Sequence, residues 1–442
     1  MGLRDIVLGG LIGLSLPFVL ARPFYGVLVW SWIAYMAPHR YCWALYNAPI
    51  AAIVGALLIA GFLFSNENKK LPQSPIVTSF ILLLLWFCIS HAVHPVSDSA
   101  WAEFTKIFKI MAVTLMIMMI INTRERVHLM MWVMVCSVGY FGVKGGLFTI
   151  LKGGQYPTSG PPGSFFEPNN EAALTMLMTM PLLGYLQLQA TNKWIRRGLV
   201  AAIVLCAFSV IGSYSRGAFL AGFALIAVVA LRSRHRFAFI LAVLVLLPPA
   251  LAFMPQKWHD RMATLQDNPE ENDGSARGRL NAWGVAIGVA NNNLTGGGFD
   301  TFNARNFSLY AKIDPDKPRD VHSIYFQILG EHGYIGLILF LALAFNTLRA
   351  TSRIITRARG DPDLKWAADL ARMVQYTAVA FAVGGAFLGL AYFDYYYQII
   401  AAVAVTDHIV RRHVAGQVPE PAPAYGGGRA NALPAASRTL SS

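Results

Sequence analysis

Charged residues are scarce in this chain of 442 residues. Only 13% of its residues are Asp, Glu, Lys or Arg, whereas 55% are hydrophobic and the mean hydropathy is +0.48. Soluble domains carry about 25% charged residues, so the composition excludes an ordinary soluble enzyme. Apolar runs of about 20 residues, the length that crosses a bilayer core, recur along the chain. The sequence therefore predicts an all-α polytopic integral membrane protein.

Cysteine and acidic residues are also few. The four cysteines lie far apart and no pair has metal-ligand spacing, which excludes a disulfide scaffold and favours small packing residues; they are Cys42, Cys88, Cys136 and Cys206. Lys and Arg number 36 against 23 Asp and Glu, a net charge of +13. In a soluble protein this excess would suggest a nucleic-acid partner. In a membrane protein the excess of Lys and Arg instead marks the connections on the cytoplasmic side, so we predict no nucleic-acid partner.

Apolar runs bounded by polar clusters predict twelve or thirteen membrane spans. They cover residues 5–22, 24–37, 47–64, 75–95, 101–121, 127–150, 171–189, 195–213, 216–231, 234–253, 323–349, 370–391 and 394–410. Pro23 interrupts the first two, which form either a tight hairpin or one broken element. A signal cleavage site after Ala21 is conceivable, but the apolar segments that follow at once favour a retained first helix.

Basic residues in the short connections give the orientation. Six basic connections are separated by even numbers of spans and therefore share one face, which we assign to the cytoplasm; they contain Lys69-Lys70, Arg124 and Arg126, Lys193 to Arg197, Arg232 to Arg236, Arg349 to Lys365, and Arg411-Arg412. The periplasmic face then receives 153–170, 213–216, 255–321 and the turn near Asp394.

This topology divides the chain into four parts. An N-terminal transmembrane helix bundle (1–253) precedes a long periplasmic loop containing helices (254–322), C-terminal transmembrane helices (323–413) and a cytoplasmic tail (414–442). The tail is rich in Pro, Ala, Gly and Ser, a composition typical of disorder.

Arg216 is a lone cation at the outward start of an apolar helix, in Gly-Ser-Tyr-Ser-Arg-Gly. Such a guanidinium can simply anchor a helix by reaching the membrane surface. However, an ionisable group beside the hydrocarbon is by default a functional hypothesis. We therefore treat Arg216 as a candidate ligand for an anionic group.

The long outer loop adds further cations. For any single one of them, a solvated surface charge is the simplest interpretation. The cations of the loop are Lys257, Arg261, Arg277, Arg279, Arg305, Lys312, Lys317 and Arg319. The residues that follow Arg279 have amphipathic helical spacing, which suits a helix lying in the membrane interface. A glycine run at 296–298 then predicts a flexible turn. Arg277 and Arg279 are spaced to clamp an anion if a partner brings phosphate.

His322 is the candidate proton acceptor on the same face. It precedes the helix predicted over 323–348, with Ser323 or His322 itself as the N-cap. Imidazole can take and give a proton near neutrality, although a lone histidine is more often structural. His332 lies ten residues further on and about 15 Å deeper in the same predicted helix, so it is the poorer candidate.

Carboxylates are poorly placed for a metal. Glu167, Glu171 and Asp394 lie on the outer face, but the first outer loop, 38–47, has no carboxylate. The Asp-Pro-Asp sequence at 314–316 has a metal-binding pattern that a turn explains equally well. We predict no metal and no cofactor.

At these residues the sequence resembles the O-antigen ligase family and the related O-antigen polymerases. His322-Ser323, nine residues and then Gly333-Tyr-Ile-Gly match its C-terminal signature. Further similarities are Ser215-Arg216-Gly217, Gly278-Arg279 with Trp283, the glycine-rich stretch 296–302, and Phe166–Asn169. They occur in the family's order over roughly residues 160–345.

The resemblance implies a GT-C-like helical glycosyltransferase of the bacterial inner membrane. Such enzymes transfer a glycan from an undecaprenyl-diphosphate-linked donor, without metal, at the periplasmic face. Ligases deliver it to lipid A-core oligosaccharide, and polymerases to another lipid-linked unit. The family's essential residues correspond to Arg216, Arg279 and His322, with Arg277 as an alternative second arginine. A lipid-linked glycan transporter is less well supported, because transporters tend to have repeated halves and the sequence shows no repeat.

Overall fold

The computed structural model describes residues 2–67, 69–94, 97–233, 236–263 and 274–416, and these ranges contain helices and no strand. The tail beyond 416 and part of the predicted outer loop lie outside the described residues. The α-helices are α1 (Leu3–Ala21), α2 (Pro23–Met36), α3 (Ile50–Phe64), α4 (Pro75–Ala92), α5 (Asp98–Ile120), α6 (Arg124–Leu151), α7 (Asn169–Gln189), α8 (Lys193–Ile211), α9 (Arg216–Arg232), α10 (Arg236–Ala252), α11 (Gln256–Ala263), α12 (Gly274–Asn292), α13 (Ala304–Tyr310), α14 (Ile324–Arg357), α15 (Lys365–Gly384) and α16 (Asp394–Val414).

Each predicted apolar run corresponds to a helix. The first two runs are α1 and α2, which pack on one another and are separated only by Arg22 in an extended conformation. Pro23 begins α2 at a position where its missing N–H costs nothing.

The prediction for 370–391 was wrong at its end, because α15 stops at Gly384 and a 3-10 turn covers 385–387. Two consecutive glycines, Gly384 and Gly385, disfavour continuation of the helix there.

Five described helices are long and apolar enough to cross a membrane: α1, α4, α6, α8 and α14. The bent pair α10 and α11, with an angle of 112°, adds a sixth if it forms one span. The fold is thus that of an all-helical protein suited to several membrane crossings. A count of twelve spans is not confirmed: α2, α3 and α9 have only 14, 15 and 17 residues, and α5, α7, α15 and α16 are long enough but not sufficiently apolar.

Connections predicted to share the cytoplasmic face meet in the structure. Arg126 forms a 2.9 Å salt bridge with Glu67, although the two residues lie in different connections. The Arg411 guanidinium donates to the backbone carbonyl of Gln73. We call this part of the molecule the basic end.

The connections assigned to the other face also contact one another. The Tyr214 hydroxyl donates to the carbonyl of Gly154 at 2.8 Å, and Nδ2 of Asn169 donates to the carbonyl of Ser213 at 2.7 Å. Helix α6, with 28 residues or about 42 Å, runs from the basic end to this group. We call the second group the site end.

Candidate functional site

The two arginines that the sequence offers as alternatives both lie on helix α12, but in different surroundings. Arg277 is exposed, whereas Arg279 is half-buried. Two positions in an α-helix differ by about 200° around its axis, so the two side chains leave opposite sides of α12. The structure therefore directs Arg279, and not Arg277, toward the protein.

Trp283 lies one turn after Arg279 and on the same side of α12. Its indole Nε1 donates to the carbonyl of Val321 at 2.9 Å, and its ring stacks on Phe326 with centroids 4.7 Å apart. Helix α12 thus fixes both the backbone immediately before His322 and the first turn of α14.

Asn281 holds the preceding stretch of chain. Its Oδ1 accepts the backbone N–H groups of Lys312 and Ile313 at 3.1 and 3.2 Å, and its Nδ2 donates to the carbonyl of Ile313. The Asp-Pro-Asp sequence that follows is a turn, in which Lys317 N donates to the carbonyl of Asp314 at 3.1 Å. The backbone at this sequence is thus a turn.

His322 has a left-handed backbone, with φ of 44°, which is uncommon for a residue with a Cβ. Its side chain is 38% exposed, and Nδ1 lies 3.8 Å from Oδ2 of Asp320. Ser323 is the N-cap of α14, and its buried Oγ makes no hydrogen bond. Strained backbone of this kind clusters at functional sites. Asp320 was missed by the sequence reasoning, although a carboxylate two residues before a candidate base is a usable signal.

Glu171 connects three of these groups. It lies in the first turn of α7, and electrostatic interactions link its carboxylate to His322, Asp320 and Arg279. One of its oxygens, Oε2, is buried and has no hydrogen-bond partner.

Arg216 begins the neighbouring helix α9. Ser215 is its N-cap, with Oγ accepting the N–H of Ala218 at 3.3 Å. The turn before α9 is tied to the start of α7 by the hydrogen bond from Asn169 to the carbonyl of Ser213. Asn169 is only two residues before Glu171. The stretch Phe166–Asn169 thus joins the connection before α7 to the turn before α9 at the site end.

The 3-10 turn at 385–387 bridges the starts of α9 and α14. A Cβ added to Gly217 would lie 3.2 Å from Cβ of Phe387, and one added to Gly385 would lie 2.6 Å from Cδ1 of Ile324. The helix starts that carry Arg216 and His322 therefore contact the same turn.

Helix α14 is broken at Gly333, which has φ of 67° and ψ of −171°. The glycine-rich loop is docked against the break: Gly297 N donates to the carbonyl of Gly330, and Gly298 N to that of Glu331, both at 2.9 Å. These bonds satisfy carbonyls that the break removes from the helix ladder, as buried backbone requires. The run predicted as a flexible turn is thus held by backbone hydrogen bonds.

A buried polar network surrounds the same break. His332 is fully buried, with Nδ1 3.0 Å from Ser90 Oγ and Nε2 2.7 Å from the Tyr392 hydroxyl, while Trp86 Nε1 donates to its carbonyl at 2.8 Å. The Tyr392 hydroxyl donates to the Glu331 carboxylate. Burial, together with this carboxylate, raises the pKa of Tyr392 well above its usual value, so the phenol stays protonated.

The other acidic candidates have local structural partners. Glu167 is exposed, and its Oε2 accepts the N–H of Gly163 at 2.7 Å. Asp394 begins α16, and its Oδ1 accepts the N–H of Tyr395 at 2.8 Å.

Metal-ligand side chains converge at one place in the described ranges. Asp361, Asp363 and His413 bring ligand atoms within 4.8 Å of one another. His413 Nε2 lies 2.9 Å from Asp361 Oδ2, which makes the pair an ordinary hydrogen-bonded contact. The group is at the basic end and includes none of the carboxylates of the site.

The fold and the site define a helical membrane protein in which Arg216, Arg279 and His322 lie at or near the starts of α9, α12 and α14. Residues 201–341, which contain Arg216, Arg279 and His322, match the family described as O-antigen ligase. This match confirms, for that segment, the resemblance seen in its motifs. Residues 3–191 match a family of unknown function, DUF5935. No curated protein matches the chain.

Proposed function

We propose that the protein is an O-antigen ligase of the bacterial inner membrane. It transfers a polysaccharide from undecaprenyl diphosphate to lipid A-core oligosaccharide at the periplasmic face. The observation that carries the proposal is geometric: Trp283, one turn after Arg279, bonds the residue before His322, and the turn at 385–387 contacts the starts of α9 and α14. The family match supports transfer of this class.

The arginines are assigned to the departing diphosphate. When the bond between the anomeric carbon and the phosphate oxygen breaks, undecaprenyl diphosphate leaves with additional negative charge. Arg216 and Arg279 stabilise that charge, because guanidinium binds phosphate in bidentate fashion and remains charged. Fixed cations of this kind make transfer independent of a metal ion.

His322 is assigned as the general base. It takes the proton from the acceptor hydroxyl as that oxygen attacks the anomeric carbon from the side opposite the diphosphate, so the configuration inverts. Oδ2 of Asp320, 3.8 Å from Nδ1, places a carboxylate on that side of the ring, and Nε2 is left for the acceptor. The left-handed backbone of His322 sets the direction in which its Cα–Cβ bond leaves the chain.

A reconstituted reaction tests the proposal. Purified protein is mixed with lipid-linked glycan, lipid A-core oligosaccharide and EDTA, and the products are separated on a gel. A ladder on lipid A-core, with release of undecaprenyl diphosphate, is the expected result. Lengthened lipid-linked chains would assign the protein as a polymerase, and glycan on added protein as an O-oligosaccharyltransferase. Movement of intact donor across vesicles without release of diphosphate would assign a transporter.

A further inference from the structure

A pocket of about 700 Å³ opens at the basic end, on the other side of the molecule from the proposed reaction. Its walls come from the connection that enters α4, from the last residues of α5 and from the end of α16. Four basic residues line it: Lys70, His408, Arg411 and Arg412. Its described lining contains no acidic residue.

Two further guanidiniums lie behind this wall, around an acidic residue that Arg411 of the lining also contacts. Asp407 is 1% exposed and is approached by three guanidiniums, those of Arg353, Arg357 and Arg411, at 3.8, 3.3 and 3.3 Å. One carboxylate neutralises one of these three charges. The pocket therefore has a field that favours an anion.

The rest of the lining includes an apolar wall and a polar side chain that can accept a hydrogen bond. Met118, Met119, Ile121 and Val405 form a hydrophobic wall beside the cations. Asn122 also lines the pocket, and its Oδ1 is buried without a hydrogen-bond partner. An amide oxygen only accepts hydrogen bonds, so it calls for a donor such as a hydroxyl.

We propose that this pocket binds one anionic phospholipid whose headgroup carries hydroxyl groups, as phosphoglycerol does. The phosphate lies among Lys70, Arg411 and Arg412, and a glycerol hydroxyl donates to Asn122. The acyl chains lie along the hydrophobic wall. Basic pockets between membrane helices recognise acidic lipid headgroups in this way. The site is separate from the glycan-transfer site and stands independently of the proposed function.

Native mass spectrometry of the full chain tests the proposal. Protein is delipidated, incubated with vesicles of phosphatidylcholine containing phosphatidylglycerol, and released from detergent. We expect one phosphatidylglycerol per chain, and at least a 10-fold loss of retained lipid in the double variant Lys70→Gln/Arg412→Gln. Arg359→Gln is the matched control, because Arg359 is an exposed cation outside the pocket lining. Equal retention in the double variant and the control would overturn the proposal.

Two further arms separate the headgroup chemistry. Phosphatidylmethanol has the same charge but no headgroup hydroxyl, so it should be retained several-fold less than phosphatidylglycerol, and Asn122→Val should remove that preference. Displacement of the lipid by millimolar inorganic phosphate or diphosphate would instead indicate a site for a free anion. Equal retention of phosphatidylcholine would show that charge plays no part. Either result would reject the lipid assignment, and thermal unfolding of each variant checks that it is folded.

Discussion

The indole Nε1 of Trp283 donates a 2.9 Å hydrogen bond to the carbonyl oxygen of Val321, the residue before His322. Because Trp283 is one helical turn from Arg279, this bond ties the candidate base to the helix that carries a candidate diphosphate ligand. The two groups are therefore positioned by one contact between α12 and the segment leading into α14, and not independently by two loops.

Trp283→Phe keeps a ring against Phe326 but removes this donor. We expect the free energy of unfolding to fall by about 1 kcal/mol, because the buried Val321 carbonyl loses its partner. Glycan transfer should fall by a larger factor than the loss of folded protein accounts for, since the segment that leads into His322 is no longer held to α12. Turnover and thermal unfolding measured together check this. Trp194→Phe, at a 66% exposed position of the basic end, is the control, and equal turnover in the two variants would contradict the positioning role.

Arg216→Lys retains the positive charge but loses the planar pair of donors. We expect transfer to fall about 100-fold or more, in line with removal of one preorganised donor from a transition state. Turnover with saturating donor is the measurement. Near wild-type transfer would show that Arg216 is an anchor at the membrane boundary and does not clamp phosphate.

Arg279→Ala and Arg277→Ala form a matched pair on one helix. Because Arg279 is half-buried and Arg277 is exposed, the first should lose about 100-fold or more in transfer and the second less than 5-fold. Initial rates at equal protein concentration decide the assignment. The reverse order would make Arg277 the second diphosphate ligand.

His322→Ala should lower transfer by about 10²- to 10⁴-fold, which is the usual contribution of a general base. Donor binding should change little, because the diphosphate is assigned to the arginines. Binding of a labelled lipid-linked donor, measured beside turnover, separates the two quantities. A parallel loss of binding and turnover would reassign His322 to substrate binding or to structure.

Tyr392→Phe removes the hydroxyl that joins Glu331 to His332. We expect a loss of about 1–3 kcal/mol in unfolding free energy, because two buried polar groups lose a partner. Tyr334→Phe is the control, since the Tyr334 hydroxyl bonds Asn291 at 2.8 Å but its side chain is exposed. Thermal unfolding in detergent compares them, and equal midpoints would mean that the network adds nothing to stability.

The helix positions could be predicted because hydropathy is a local property. Runs of apolar residues located α1 to α10 and α14 to α16, and the parity of the basic connections grouped loops that do meet, as Glu67 and Arg126 show. The helical spacing after Arg279 likewise predicted α12. Local signals were weaker where glycines cluster, so the end of α15 at Gly384 was missed.

The polar network could not be read from spacing, because its members are distant along the chain. Ser90 and Glu331 are 241 residues apart, and Tyr392 follows a turn that the sequence assigned to a helix. The spacing also placed His332 within one continuous helix, whereas Gly333 breaks it. The separation of Arg277 from Arg279 required the actual orientation of α12.

The positions at which helices start have an electrostatic consequence of their own. Helices α7, α9 and α14 begin at Asn169, Arg216 and Ile324, all at the site end, so their unpaired N–H groups and the positive poles of their dipoles are gathered there. Each pole stabilises a nearby anion by about 0.3–1 kcal/mol, and more where water is excluded. The backbone itself thus contributes positive potential to this end, which persists when any single arginine is replaced.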